Sequence, residues 1–127
     1  MKKITAIIAI SIIALMAYST SSIAGKAAVK SVESIYKEKV KLKGTQVSVK
    51  GKVVKVNNGI MKRNFLHIQD GSGSEGTNDL IVTSNQTAKV NDEVTVTGTV
   101  VLDTDFGFGY KYPLLVEKSH IVVNKSK

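Results

Sequence analysis

A valine-rich segment near the middle of the chain changes the phase of its alternation, and this restricts the possible folds more than any other feature. Val47 and Val49 alternate with polar residues, and the pattern then shifts to Val54 and Val56, with Gly51 close to the shift. Successive side chains of a strand point to opposite faces, so a phase change beside a glycine indicates a bulge or a sharp bend. We predict one long strand that bends and serves both halves of a small barrel.

Four more segments of strand-like composition follow, separated by residues typical of turns. An amphipathic helix precedes them, with Val32, Ile35 and Tyr36 on one face and Ser31 as its N-cap. The strands do not alternate with helices, which argues against βαβ units and favours an all-β fold. The predicted helix spans residues 31–39, and the predicted strands span residues 46–56, 65–70, 79–84, 94–102 and 110–123.

The N-terminal residues have the pattern of a secretory signal peptide. Lys2 and Lys3 precede an uncharged apolar run at residues 4–17, and Ser22-Ile23-Ala24 forms a small-x-small cleavage site. The run is short for a membrane span, and an uncleaved membrane anchor is the alternative. We therefore expect an exported, periplasmic protein with no stable membrane anchor after cleavage. Its parts are a cleaved signal peptide (1–24), an N-terminal helical segment (25–44) and a barrel domain (45–124).

Charge and cysteine content limit the partners of such a domain. The 127 residues contain no cysteine, and 18 Lys and Arg against 10 Asp and Glu give a net charge of +8, or +6 without Lys2 and Lys3. A basic exported domain suits single-stranded nucleic acid or another anionic polymer. The alternative is that dispersed lysines serve solubility alone. Without disulfides, the core must stabilise the fold by itself.

Two loops contain the cationic, aromatic and glycine residues of a binding site. One spans residues 57–64, between the first two predicted strands, and the other spans residues 103–109, between the last two. In a five-stranded barrel of the OB type, the corresponding loops flank the ligand-binding face. We therefore predict a single five-stranded Greek-key OB-fold barrel with a short N-terminal helix, and a ligand face between these loops.

The second predicted strand places three candidate residues on its outer face. Leu66 and Ile68 share the face assigned to the core, so Phe65, His67 and Gln69 share the opposite face. Aromatic rings here suit base stacking and nearby cations suit phosphates, whereas rings that seal the mouth of the barrel are the alternative. The candidate ligand-binding residues are Lys62, Arg63, Phe65, His67, Gln69, Phe106, Tyr110, Lys111 and Tyr112.

Several segments resemble one protein family. They are Gly51–Val56, Ile60–Met61, Asn64–Gly73, Thr77–Leu80, Gly98–Val100 and Gly107–Tyr112. They are similar to a family of small exported bacterial OB-fold proteins, often labelled DNA-binding proteins or described as accessory to cytochrome c nitrite reductase clusters. The resemblance implies an OB fold, with nucleic-acid binding or a role beside a c-type cytochrome. Lys62 stands where the family tends to have a glycine. Phe65 stands where it tends to have a tryptophan, so the position keeps a stacking surface but loses the indole donor.

Two functions of different classes fit these observations. The first is a non-catalytic exported binding protein for an anionic or extended ligand, which the resemblance makes single-stranded nucleic acid. The second is a periplasmic accessory or assembly factor for a nitrite reductase-like c-type cytochrome system. It would act on a periplasmic redox protein by direct contact or through haem or metal. His67 and Met61 are the residues that could contact copper or haem, and His120 lies far along the chain from both.

An enzyme is not expected. Asp103 and Asp105 form a pair of loop carboxylates that could perform acid–base chemistry or bind Ca²⁺, but turn formation is the favoured interpretation. The sequence shows no recognisable nucleophile motif, phosphate-binding loop, haem-attachment motif or zinc cluster. We therefore predict no catalytic residues, no bound metal and no cofactor.

Overall fold

The computed structural model describes residues 26–125, so the predicted signal peptide lies outside the described residues. Within this range 57% of the residues are in strands and 10% in helices, which confirms a mostly β fold with a helical N-terminal segment. The elements are β1 (Ala28–Val29), α1 (Val32–Lys37), α2 (Lys39–Leu42), β2 (Gln46–Ile60), β3 (Arg63–Gln69), β4 (Leu80–Ser84), β5 (Glu93–Asp105) and β6 (Lys111–Lys125).

The strands form one sheet that closes in a ring. Their order is β1-β2-β3-β4-β6-β5, and β2 also pairs with β5. The five predicted strands correspond to β2–β6, which pair antiparallel except for the parallel pair β4 and β6. The strand β1 adds a two-residue parallel pairing to β2. The sequence did not indicate β1, because so short a segment has no periodic pattern.

A bend in β2 makes this closure possible. Lys52 is paired with Glu93 of β5 and also with Gln69 of β3. A Cβ on Gly51 would lie 2.5 Å from Ile68 Cγ2 and 2.8 Å from the carbonyl oxygen of Gln69. A larger residue would therefore force the two strands apart at the corner.

The prediction of one long strand that serves two neighbouring strands is confirmed. The predicted shift of phase to Val54 beside Gly51 is wrong, because the buried phase of Val47 and Val49 continues to Val53 and Val54 is 37% exposed. The register shift lies after Val53, between Val53 and Lys55.

Helix α1 packs against the core of the ring. Its predicted cap is confirmed, because Ser31 Oγ accepts a hydrogen bond from the Ser34 backbone N–H at 3.1 Å. Val32 and Ile35 are fully buried in the same hydrophobic cluster as the inward-facing strand residues. Within residues 26–125, neither helix has the length and apolar character that a bilayer span requires. The strand residues of this cluster are Val47, Val49, Val53, Leu66, Ile68, Leu80, Val82, Val94, Val96, Val100, Leu114, Val116 and Ile121.

The loop after β3 holds the start of α1. Asp70 Oδ2 accepts a hydrogen bond from the Val32 N–H at 2.9 Å, and Ser72 Oγ accepts one from the Glu33 N–H at 3.0 Å. Burial alone would raise the pKa of the Asp70 carboxyl, but hydrogen bonds from the Ser72 hydroxyl and from the Val32 and Ser72 N–H groups outweigh it. The pKa of Asp70 is therefore lowered. This loop thus supplies a second cap to the helix from a distant part of the chain.

Candidate ligand-binding face

The outer face of β2, β3 and β4 is built by side chains that alternate with the core residues. On β3, Leu66 and Ile68 are buried in the core cluster, so Phe65 and His67 lie on the opposite side of the sheet. His67 is paired with Lys55 of β2 and Ile81 of β4, and Phe65 is paired with Asn57 and Thr83. The predicted division of β3 into an inner and an outer face is confirmed.

An aromatic cluster of Phe65, Phe106 and Tyr112 covers one end of this face. The Phe65 and Tyr112 rings are stacked with centroids 5.4 Å apart, and Phe106 meets both rings at 5.9 Å with edge-type geometry. Only 2% of Phe65 is exposed. The expectation of an open stacking ring at Phe65 is therefore wrong, because the segment joining β5 and β6 folds over it. Burial, and then the nearby Tyr110, raise the pKa of Tyr112.

Arg63 connects the aromatic cluster to a partly buried carboxylate, that of Glu117. Its guanidinium carbon lies 4.7 Å from the centroid of the Phe106 ring, a cation–π geometry. Its Nε lies 3.8 Å from Glu117 Oε1, and the Thr83 hydroxyl donates a hydrogen bond to the same oxygen at 3.1 Å. The Glu117 side chain is 13% exposed. Sequence reasoning missed Glu117, because its side-chain partners lie on two other strands, β3 and β4.

A groove of about 490 Å³ adjoins this cluster. It lies between the β2–β3 turn, the end of β4 and a bend in β6. Met61 and Lys62 have φ values of 52° and 64°, the conformation of a tight two-residue hairpin turn. Lys118 has a φ of 53° at the bend of β6. The groove residues are Lys62, Arg63, Thr83, Ser84, Asn85, Gln86, Glu117, Lys118, Ser119 and His120.

A separate polar network occupies the other end of β3. His67 Nδ1 lies 2.6 Å from Asp79 Oδ2, and the Gln69 side-chain amide donates to Asp79 Oδ1 at 3.1 Å. The Tyr36 hydroxyl donates to the Asp79 carbonyl oxygen at 2.6 Å. Burial, and then the Asp79 carboxylate, raise the pKa of Tyr36. The ring of His67 is thus oriented by a carboxylate that sequence reasoning did not single out. Within residues 26–125, no three His, Asp or Glu side chains are grouped as a metal site.

The segment between β5 and β6 carries one aromatic side chain inward and another outward. Phe106 belongs to the aromatic cluster, whereas Phe108 is 97% exposed. Asp105 Oδ1 accepts a hydrogen bond from the Gly107 N–H at 2.8 Å. The interpretation of Asp105 as a turn-forming residue is confirmed. Asp103 is exposed and has a φ of 49°.

The structure divides the predicted site residues into two groups. Arg63, Phe65, Phe106 and Tyr112 are in direct contact at one end of the face, and Lys62, Tyr110 and Lys111 are their chain neighbours there. His67 and Gln69 form the second group through Asp79. Sequence reasoning missed Lys118 and placed His120 apart from the site, because only the bend in β6 brings these residues beside Lys62.

Comparisons with known proteins bear on the fold. No protein-family model and no curated protein matches the chain. It is similar to the OBody AM3L09 bound to hen egg-white lysozyme, at 17% identity and a TM-score of 0.51, over 68% of this chain and 88% of that chain. The OBody AM2EP06 bound to hen egg-white lysozyme gives the same identity and TM-score, over 68% and 86%. A protein assigned as an aspartyl-tRNA synthetase from Leishmania major Friedlin gives 14% identity and a TM-score of 0.55, over 87% of this chain and 23% of that chain. At these identities, the similarity concerns the fold alone.

Proposed function

We propose that this chain is an exported, non-catalytic OB-fold binding protein for an extended anionic ligand, with single-stranded nucleic acid as the first candidate. The observation that carries the proposal is the groove beside the aromatic cluster. Its wall contains Lys62, Arg63, Lys118 and His120 against one carboxylate, that of Glu117. A groove of this composition attracts a polyanion and tracks its backbone.

The cations of the groove have different roles in this proposal. Arg63 is half-buried, lies over Phe106 and is paired with Glu117, so it holds the shape of the site. Lys62 and Lys118 are exposed, and each stands at a turn or bend with a left-handed backbone. A turn position leaves the ammonium group accessible, so these two lysines are the phosphate-binding residues of the proposal.

The closed ring and its two flanking segments support the OB assignment. In that fold, oligonucleotides bind across the face of the second and third barrel strands, between two loops. The equivalent positions here are β3 and β4, with the β2–β3 turn on one side and the β5–β6 segment on the other. The groove and the aromatic cluster lie at the corresponding end of this face, which favours a ligand there.

The salt dependence of binding tests the proposal. We expect residues 26–127 to bind a fluorescein-labelled oligothymidine in fluorescence-anisotropy titrations, with an affinity that falls steeply as salt rises. Replacing Lys62 and Lys118 together by glutamine removes two phosphate contacts. The slope of log K against log[salt] should then become shallower by about 1.4, since each phosphate contact on a single strand contributes about 0.7.

The matched control removes the same charge elsewhere. Lys43 and Lys89 are exposed and do not line the groove, so the Lys43→Gln/Lys89→Gln protein should keep the wild-type slope. Equal slopes for both double variants would mean that overall charge, and not this groove, binds the oligomer. Absence of binding by the wild-type protein at low salt would refute an anionic polymer as the ligand.

A second candidate is a periplasmic accessory factor for a c-type cytochrome, acting by protein contact. The similarity to two OBody proteins bound to lysozyme favours it, because a fold of this kind accommodates a protein partner in those chains. Size-exclusion chromatography with a purified multihaem nitrite reductase tests it. Co-elution that leaves the haem absorbance unchanged would support a protein contact. Separate elution at micromolar concentrations would count against this candidate.

A further inference from the structure

Phe108 is the most exposed large apolar side chain of the part of the chain that the structure describes. Its exposed fraction is 97%, and that of Tyr110 is 39%. Full exposure of an aromatic ring is unfavourable in water, and exposed aromatic side chains on loops are enriched at binding sites. Packing explains the position of the buried Phe65 ring, but it does not explain the exposure of the Phe108 ring. A binding role would explain that exposure.

Backbone hydrogen bonds close the loop that carries Phe108. The Phe106 N–H donates to the Tyr110 carbonyl oxygen at 2.8 Å, and the Tyr110 N–H donates to the Gly107 carbonyl oxygen at 3.0 Å. Phe106 is fixed in the aromatic cluster at the base of the loop. Phe108 is thus presented on a braced turn, so little conformational entropy is lost when a ligand covers it.

We propose that Phe108 is the ring on which an unpaired base of the ligand stacks, with Tyr110 beside it. The proposal rests on the proposed function and narrows its ligand to a single strand with accessible bases. Phe65, Phe106 and Tyr112 are engaged with one another, so their rings are covered on the sides where they meet. Phe108 has both ring faces open, and a base needs only one face to stack.

The charged residues near Phe108 differ from those that line the groove, so the stacking contact and the phosphate contacts can be tested separately. Asp103 and Asp105 lie at the end of β5, next to this loop, and Lys111 of β6 is paired with Asp105 across the strands. The charges here are mixed, unlike those of the groove, so Phe108 contributes through its ring and not through phosphate neutralisation. Loss of the ring should lower affinity by the same factor at low and at high salt.

An abasic ligand provides the decisive test. We would titrate wild-type and Phe108→Ala proteins with labelled oligothymidine and with an abasic deoxyribose-phosphate oligomer of equal length. Phe108→Ala should weaken oligothymidine binding by about 5- to 150-fold at both salt concentrations, the range of one base–aromatic stack. Binding of the abasic oligomer should be unchanged. Val90→Ala, at another exposed loop residue, is the control and should behave as wild type.

The outcomes distinguish this inference from the function on which it rests. If Phe108→Ala binds oligothymidine as tightly as wild type, the stacking role is wrong and the groove proposal stands. Equal wild-type affinities for both oligomers would likewise exclude stacking and leave the groove proposal intact. If wild type binds neither oligomer, both proposals fail. Phe108→Trp adds a direct readout, because the chain has no tryptophan. Its fluorescence should be quenched by oligothymidine and not by the abasic oligomer.

Discussion

The absence of a side chain at Gly98 allows β5 and β6 to approach each other closely beside the groove. A Cβ at this position would lie 2.5 Å from Ser119 Oγ and 2.8 Å from the Glu117 carbonyl oxygen. The backbone oxygen cannot turn away as a flexible side chain could. Gly98→Ala should therefore lower the free energy of unfolding by about 1–3 kcal/mol, measured by urea denaturation. Because Glu117 and Ser119 line the groove, the same variant should also weaken oligomer binding.

A second substitution checks the cause of this destabilisation. Ser119→Ala removes the nearest side-chain atom but leaves the Glu117 carbonyl oxygen in place. We would compare the Gly98→Ala/Ser119→Ala protein with Ser119→Ala alone. Its free energy of unfolding should still be the lower of the two, but by less than Gly98→Ala costs in the wild type. A Gly98→Ala protein as stable as wild type would show that β5 and β6 do not approach each other so closely.

The loop after β3 adds a second set of capping hydrogen bonds to the one that Ser31 supplies to α1. The pKa of Asp70 is lowered in the folded protein, so its carboxylate stabilises the fold above its unfolded-state pKa of about 3.9. This stabilisation is lost as the pH falls through the lower folded-state pKa. Asp70→Asn should cost about 1 kcal/mol at pH 7, and the difference from wild type should shrink as the pH approaches 2.

Thermal unfolding at pH 7 and pH 2.5 measures this effect. Glu75→Gln alters an exposed carboxylate of the same loop and serves as the control, with no expected change in the melting temperature at pH 7. A difference between Asp70→Asn and wild type that is as large at pH 2.5 as at pH 7 would show that the charge of Asp70 is not what holds the helix.

Elements with local signals could be predicted from the sequence, and long-range contacts could not. Ser31 and the spacing of Val32 and Ile35 are local patterns, and the structure confirms both. The alternation in β2 predicted a long strand correctly but misplaced its change of phase, which lies after Val53 and not beside Gly51. The capping of α1 by Asp70 joins residues 38 positions apart, so no local pattern marks it. The loop after β3 can contact α1 only when the folded sheet brings the two segments together.

At the scale of the whole molecule, the contrast between local patterns and long-range contacts also explains which residues of the candidate site could be predicted. The two predicted loops are shorter than expected, because β2 extends to Ile60, β3 begins at Arg63 and β5 extends to Asp105. Arg63 and Phe106 nevertheless meet at the predicted face. The burial of Phe65 was not predicted, because alternation assigns a side chain to a face but does not show what covers it. Lys118 and His120 reach the groove through the bend of β6, and a left-handed lysine has no signature in sequence.

The shared pairing of β2 has a consequence for the order of folding. The first half of β2 pairs with β5, so Gln46 finds its partner Thr99 more than fifty residues later, and β5 in turn pairs with β6 up to Lys125. The ring therefore cannot close until β5 and β6 are both free to pair. Such a high contact order slows folding to milliseconds or seconds and leaves the new chain extended for longer.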